Sequence, residues 1–237
     1  MGKLVWAVSA MGAALIEAFG RWLWLSVGGR YPPALVAVTQ LYKTLRRAKG
    51  LIVGFEVYGA RYPAAQWGQT RWLSLAALTR QASCTPAKGR LLYHLVAPRQ
   101  PRRILELGTH LGLGTLYLAC SAPKAEIHTV EASPTLASYA KRHFQVMGLR
   151  PTLHCQTFEA FLSQPQPVWD IVFLDGNHCG AAFVGYVEAL YPSLAAGGLL
   201  IADDIFWSRD MYAAWRRVSA LPWRKAWVVG PFGMLEK

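Results

Sequence analysis

The sequence predicts an α/β protein, a doubly wound parallel sheet preceded by a helical extension. Three observations carry this. From residue 102 onward, short apolar runs of strand type alternate with segments of helical period, as βα units do. The first run breaks straight into glycines, "ILELGTHLGLGTLYLA" (104–119), and in an open parallel sheet such a loop marks the edge where ligands sit. Two later runs, "IVFLDGNHC" (171–179) and "LLIADDIFW" (199–207), end on carboxylates, an unusual finish for a buried strand.

Residues 1 to about 50 read as a helical, Trp-rich, basic leader broken at "GGRYPP" (28–33). Residues 51 to about 98 read as mainly helical, with "TRWLSLAALTRQAS" at helical spacing and "CTPAKG" as a break before "RLLYHLVA". Then "RILELG" is a strand, "GTLYLACSA" a helix and "EIHTVEA" a strand. "PTLASYAKRHFQVMG" is a helix with Pro in its first turn and Gly after its end. "TLHCQ" follows as a strand, "FEAFLSQ" as a short helix, and "DIVFLDG" as a strand. "AAFVGYVEALYPSLAAGG" reads as one helix stopped by glycine, "LLIADDI" as a strand, and "SRDMYAAWRRVSA" as a helix. "KAWVVGPFGMLEK" gives two short strands about a turn. The expected organisation is a helical extension or lid over 1–98 and the sheet domain over 99–237.

A chain of 237 residues suffices for one such domain and an appendage. Net charge is +12, which points to an anionic partner but speaks to association and not to fold. The basic residues fall in short clusters (Lys43/Arg46/Arg47/Lys49, Arg99/Arg102/Arg103, Arg216/Arg217/Arg224/Lys225) that read equally as solvated faces and helix ends. Cys84, Cys120, Cys155 and Cys179 lie far apart without a CxxC pair, so they read as reduced thiols and not as a zinc site. The leader stretch "LVWAVSAMGAALIEAFGRWLWLSVGG" (4–29) is interrupted by Glu17 and Arg21, leaving runs below the ~20 residues a spanning helix needs. No small-residue cleavage site follows it, which speaks against a signal peptide. It is expected to be an amphipathic helix against the domain, a dimer partner or a membrane surface.

Gly108, Gly112 and Gly114 let the chain turn sharply after the first strand of the alternating region. Their G-x-x-x-G-x-G spacing departs from the G-x-G-x-x-G of dinucleotide loops. Glu106, two residues earlier, would repel a pyrophosphate but suits a cationic ligand. Glu131 ends the next strand, where a carboxylate can take both hydroxyls of a ribose.

"ILELGTHLGLGT" followed by "VEAS" resembles the first two motifs of class I S-adenosylmethionine-dependent methyltransferases. The resemblance covers residues 102 to about 210 and implies a Rossmann-like, seven-stranded, mostly parallel sheet whose last strand is antiparallel. It further implies that Glu106, Gly108, Thr109, Gly112 and Gly114 bind the cofactor, the loop at 108–114 holding its methionine part, and that Glu131 takes the ribose. Adenine contacts fall to Ala132 and to Gln156, Thr157 and Phe158, although the acidic residue often found in that turn is missing.

The topology gathers Asp175, Asp203 and Asp204 on one rim, where three carboxylates would repel unless a cation joined them. Oxygen ligands suit Mg²⁺, Ca²⁺ or Mn²⁺. This rim is similar to that of the catechol and caffeoyl-coenzyme A O-methyltransferases, in which an Asp and an Asp-Asn pair hold a divalent metal. By that likeness Asp175, Asp203 and Asp204 are metal ligands, Asp204 standing in place of the Asn. The family's proton-accepting Lys is replaced by His178, which makes His178 and Asp175 the candidate catalytic pair. Asp175 is also a candidate for the cofactor's amino group, and Asp203/Asp204 for a plain turn cap. The stretch 173–215 resembles, more closely still, an uncharacterised bacterial branch of methyltransferases with Asp-Gly-Asn-His and Asp-Asp-Ile-x-Trp-Ser motifs, a likeness that brings no substrate with it. Trp207 on that rim reads as a substrate wall or as core packing.

The function expected is methylation of an oxygen on a small hydroxylated molecule, with S-adenosylmethionine as cofactor and a divalent cation such as Mg²⁺ assisting. Two alternatives stand beside it. One is an RNA ribose methyltransferase, suggested by the charge; base N-methylation is disfavoured because "DGNH" replaces the Asp/Asn-Pro-Pro-aromatic stretch of those enzymes. The other is a non-catalytic, membrane-associated or scaffold protein working through its leader. A cytoplasmic location, with peripheral membrane contact or homodimerisation through the leader, goes with these readings.

Overall fold

The computed structural model describes residues 31–237. The leader stretch 4–29, with Glu17 and Arg21, lies outside the described residues.

The chain begins with helix α1 (Pro33–Arg47), strand β1 (Ile52–Glu56), strand β2 (Thr70–Ser74) and helices α2 (Leu75–Ala82) and α3 (Pro86–Val96). The alternating region follows as β3 (Arg103–Leu107), α4 (Leu113–Ser121), β4 (Glu126–Glu131), α5 (Pro134–Val146), β5 (Thr152–Cys155) and α6 (Phe158–Leu162). It continues with β6 (Trp169–Leu174), α7 (Gly180–Leu190), β7 (Leu194–Ala202), α8 (Arg209–Ser219), β8 (Lys225–Val229) and β9 (Phe232–Glu236).

Seven strands form one sheet in the order β5-β4-β3-β6-β7-β9-β8, with β9 antiparallel to both its neighbours and the other pairings parallel. Strand period sets its two faces. Ile104, Ile171, Phe173, Leu199 and Ile201 belong to one apolar cluster, which also takes in Leu35, Val38 and Leu92 from α1 and α3. Their neighbours Leu105, Leu107, Val172, Leu174 and Leu200 belong to the other, beneath α7 and α8. Both faces are covered, as a parallel sheet requires, and each filled position contributes about 1.5–3 kcal/mol of burial. The described part of the extension thus shares the core of the sheet domain.

The expectations need correction at three places. Residues 51–83 are not mainly helical: β1 and β2 pair antiparallel as a separate two-stranded sheet, and only 75–82 of "TRWLSLAALTRQAS" is helix. Its apolar spacing fits both periods, and pairing with β1 decides for strand over 70–74. The break at "CTPAKG" is shorter than read, confined there to Cys84 and Thr85, because Thr85 caps α3, accepting from the Lys88 backbone N–H, and Pro86 takes its first position, where a missing N–H costs nothing. The helix expected to run to Gly198 stops at Leu190, ahead of Pro192, and β7 starts at Leu194, four residues before that glycine. Among the described residues no helix is long and apolar enough to cross a membrane.

Candidate active site

The sheet reverses its winding between β3 and β6, and the cleft opens beyond the carboxyl ends of these strands. Backbone bonds continue the ladders into the site. Gly108 N donates to Val130 O (3.1 Å), Asp175 N to Leu107 O (2.9 Å) and Asp203 N to Leu174 O (2.8 Å), so the carboxylates stand on rigid strand ends. The cleft has a volume of about 330 Å³, within the range of small-molecule sites.

Gly108 has φ 115°, and a Cβ on it would lie 2.1 Å from the Asp175 carbonyl oxygen. It lets the loops after β3 and β6 touch. Behind the loop, Glu106 is fully buried and accepts hydrogen bonds from the Thr115 and Thr129 hydroxyls. Burial pushes its carboxyl up to about 7, against the pull of those hydroxyls. A Cβ on Gly114 would come within 2.5 Å of Glu106 Oε1, and one on Gly112 would strike the Phe144 ring. Glu106, Thr109, Gly112 and Gly114 therefore shape the loop from behind and do not line the cleft, in contrast to the direct contacts expected of them.

Gly108, Glu131, Ala132, Thr157, Phe158, Asp175, His178, Asp203 and Asp204 do line it. Glu131 accepts from His110 N at 2.8 Å and from Ser133 N at 2.9 Å; burial raises its pKa despite these backbone donors. Gln156 turns away, its side-chain oxygen accepting from Gln164 Nε2 at 3.3 Å, and it contributes nothing to the wall. Thr157 caps α6, and Phe158 packs edge-on against Tyr186. His110, Asn177 and Asp204 line the cleft with left-handed backbones (φ 50°, 46° and 52°), a concentration of strain at one place. His110 Nε2 and Asn177 Oδ1 are buried without a partner among the described residues, which leaves a donor or acceptor for a ligand to meet. Burial and Arg61 hold His110 down at about 4, so its ring is neutral.

On the opposite wall stand residues the sequence reading did not single out as site residues. Tyr58, Arg61 and Trp67 come from the β1–β2 connection, and Ser83 and Lys88 from the α2–α3 region. The Arg61 guanidinium lies 5.2 Å from the Trp207 ring centre, and the His178 ring lies 5.7 Å from it. Trp207 is 49% exposed and lines the cleft, so it is a wall and not core packing.

The acidic rim is joined by a cation, and that cation is an ammonium. Lys88 Nζ donates to Asp203 Oδ2 at 2.7 Å and to Asp204 Oδ1 at 2.8 Å, while Asp203 Oδ1 accepts from Asp204 N at 2.8 Å. Burial works against the charge on Lys88, but Asp203, Asp175 and Asp204 more than offset it, and its pKa is raised. Burial, then the charge of Asp203, lift the Asp175 carboxyl well above the carboxylate range; Asp203 moves the same way under burial, opposed by Lys88. Each oxygen of Asp203 accepts a hydrogen bond, the Lys88 ammonium stands between Asp203 and Asp204, and the described residues hold no group of three or more His, Cys, Asp or Glu placed to bind a metal ion. The expected divalent site at Asp175, Asp203 and Asp204 therefore does not fit this arrangement. The carboxylates sit in recognisable motifs, whereas Lys88 lies 115 residues from Asp203 in sequence. One local sign was available: Lys88 takes the third helical position after the Thr85 cap, where a capping box would place Glu or Gln.

His178 is held below its ordinary value by burial, although Asp204 and Asp203 pull the other way. Its imidazole is neutral near pH 7 and free to accept a proton.

Residues 105–205 match the methyltransferase-domain family. The chain is similar to a catechol O-methyltransferase of Niastella koreensis, 28% identical over 130 residues, or 52% of this chain and 58% of that one. A probable O-methyltransferase of Mycobacterium tuberculosis is 30% identical over 131 residues, 50% of this chain and 55% of the relative. The chain thus matches just over half the length of these curated relatives. Among solved structures, a Podospora anserina methyltransferase bound to S-adenosylhomocysteine superposes with a TM-score of 0.62 at 20% identity, covering 86% of this chain and 88% of that one. With the strand order, the glycine loop and the carboxylates at the strand ends, these likenesses give residues 105–205 a methyltransferase domain and the described chain a Rossmann-like methyltransferase fold.

Proposed function

We propose that the protein transfers a methyl group from S-adenosylmethionine to an oxygen of a small hydroxylated molecule, with His178 as the base. The observation that carries this reading is a neutral imidazole on the rim of a cleft whose floor is the glycine loop and Glu131. In this reading the loop at Gly108 faces the methionine part, Glu131 takes the ribose hydroxyls, and Ala132, Thr157 and Phe158 flank the adenine. The orphaned His110 Nε2 and Asn177 Oδ1 suit the cofactor's many polar groups. The cofactor supplies a methyl on a positive sulfur; its carbon–sulfur bond breaks with the electron pair staying on sulfur as the new carbon–oxygen bond forms. His178 takes the hydroxyl proton, and the surrounding walls align the oxygen and exclude water. Tyr58, Trp67 and Trp207 make an aromatic acceptor wall, which favours a planar or apolar acceptor over a polynucleotide.

Calorimetric titration with S-adenosylhomocysteine tests the cofactor, and mass-spectrometric screening of phenolic and aliphatic alcohols tests the acceptor. Saturable binding with methyl ether formation is expected. A well-folded protein that binds no S-adenosylhomocysteine would overturn the reading.

A further inference from the structure

We infer that Lys88 serves as the built-in cation of the acidic rim, holding Asp203 and Asp204 in the place a divalent ion would take, so that the protein works without a bound metal. The inference rests on the methyltransferase reading above and narrows it.

Geometry supplies the first argument. Two N–H···O contacts of 2.7 and 2.8 Å from one ammonium to two carboxylates are charge-assisted hydrogen bonds of normal length. Each oxygen of Asp203 already accepts a hydrogen bond, Oδ1 from Asp204 N and Oδ2 from the ammonium, and the ammonium stands between the two carboxylates where a bridging ion would sit. An ion seated beside the ammonium would meet a like charge within a few ångströms, in a site where Asp203 is only 2% exposed and screening is weak.

The second argument comes from the helix. A cation in the first turn of α3 opposes the helix dipole, so local helix stability does not explain Lys88. What does fix it is tertiary packing. The next residue, Gly89, lies so close to the Tyr117 ring that a Cβ would come within 2.2 Å of it. α3 is thus clamped onto α4 with the Lys88 side chain directed at the strand ends.

The consequence concerns the acceptor. A divalent ion grips two vicinal oxygens by coordination, whereas an ammonium already donating to two carboxylates does not chelate. The acceptor is therefore held by a single hydroxyl beside His178 and by the aromatic wall, and adjacent hydroxyls are not required. Lys88 acts as a positioning residue through Asp203 and Asp204.

The test is uptake of Mn²⁺ alone, followed by the electron paramagnetic resonance of the free ion, with and without S-adenosylhomocysteine. The intact protein is expected to take up none at the rim. Lys88→Ala, which strips the ammonium and leaves the carboxylates, is expected to take up one equivalent, and Lys88→Arg none. Uptake of one equivalent by the intact protein, lost in Asp203→Asn, would overturn the inference whether or not the lysine variants fold. A folded Lys88→Ala protein that takes up no Mn²⁺ would overturn it too, because the lysine would not be what keeps the ion out. Failure of the methyltransferase reading shows separately, as absent S-adenosylhomocysteine binding, and does not alter the Mn²⁺ count.

Discussion

The cleft has two walls of different origin. One is made by the ends of β3, β4, β6 and β7, and its residues end a strand, as Glu131 does, or follow directly on one, as Gly108, Asp175 and Asp203 do. The other is made by residues 58–88 and carries Tyr58, Arg61, Trp67 and Lys88 on a hairpin connection and a helix start. On the first wall, each residue's position is dictated by backbone conformation within a few residues of it. On the second, position depends on how α1, α2 and α3 pack on the sheet domain. The first wall lies within residues 105–205, which match the methyltransferase domain, and the second lies before that match.

Four changes would break or sharpen this contrast. Gly108→Ala should do most damage: the added Cβ meets the Asp175 carbonyl at 2.1 Å in a backbone of φ 115°, at a cost on the order of 3 kcal/mol. Thermal unfolding and S-adenosylhomocysteine titration should show a destabilised protein without measurable binding; an unimpaired variant would mean the two loops do not touch.

His178→Ala should lower kcat by roughly 10²–10⁴ while leaving S-adenosylhomocysteine affinity unchanged. In the unaltered protein, the rate should fall on the acid side with a midpoint below the ordinary histidine value of 6.5, because burial favours the neutral ring. A midpoint above that value would remove His178 from the role of base.

Glu131→Ala should weaken S-adenosylhomocysteine binding by about tenfold to 150-fold, the worth of a hydrogen bond to a charged acceptor. Unchanged affinity in calorimetry would place the ribose elsewhere.

Glu106→Gln should be the mildest at the cleft, since the side chain lies behind the loop. Between pH 4.5, its ordinary value, and about 7, its folded value, only the folded state holds the proton. Stability therefore falls as pH rises across that window, and the amide should flatten the slope in denaturant titrations. An unchanged slope would mean that Glu106 titrates normally.

Much of the fold was legible because its signals are local. Alternation of strand and helix from residue 102 and Pro134 at a helix start each act over a few residues and appear as read, while the Gly-Pro-Phe-Gly turn between the last two strands is shorter than read, Phe232 and Gly233 lying in β9. Where two readings of one stretch had similar local support, packing chose. "TRWLS" became a strand because β1 offered a partner, and α7 stopped short of the glycines because β7 pairs with β6 from Leu194. The site was legible to the same extent. Glu131, Asp175, His178 and Asp203 end or follow strands and lie where strand ends must lie, whereas Gln156 and Glu106 were placed near the ligand by proximity in sequence and point elsewhere.

Residue order alone dictated that three carboxylates would crowd one rim and need a positive charge among them, since strand direction and the winding of the sheet bring those ends together. Which charge answers them was settled by long-range packing. The clamp of Gly89 against Tyr117 delivers the Lys88 ammonium to Asp203 and Asp204, and nothing in the local period or turn chemistry of either segment encodes that meeting. Hydrophobic burial between α3 and α4 is non-directional, and it acquires this specificity only once both helices are docked on the sheet.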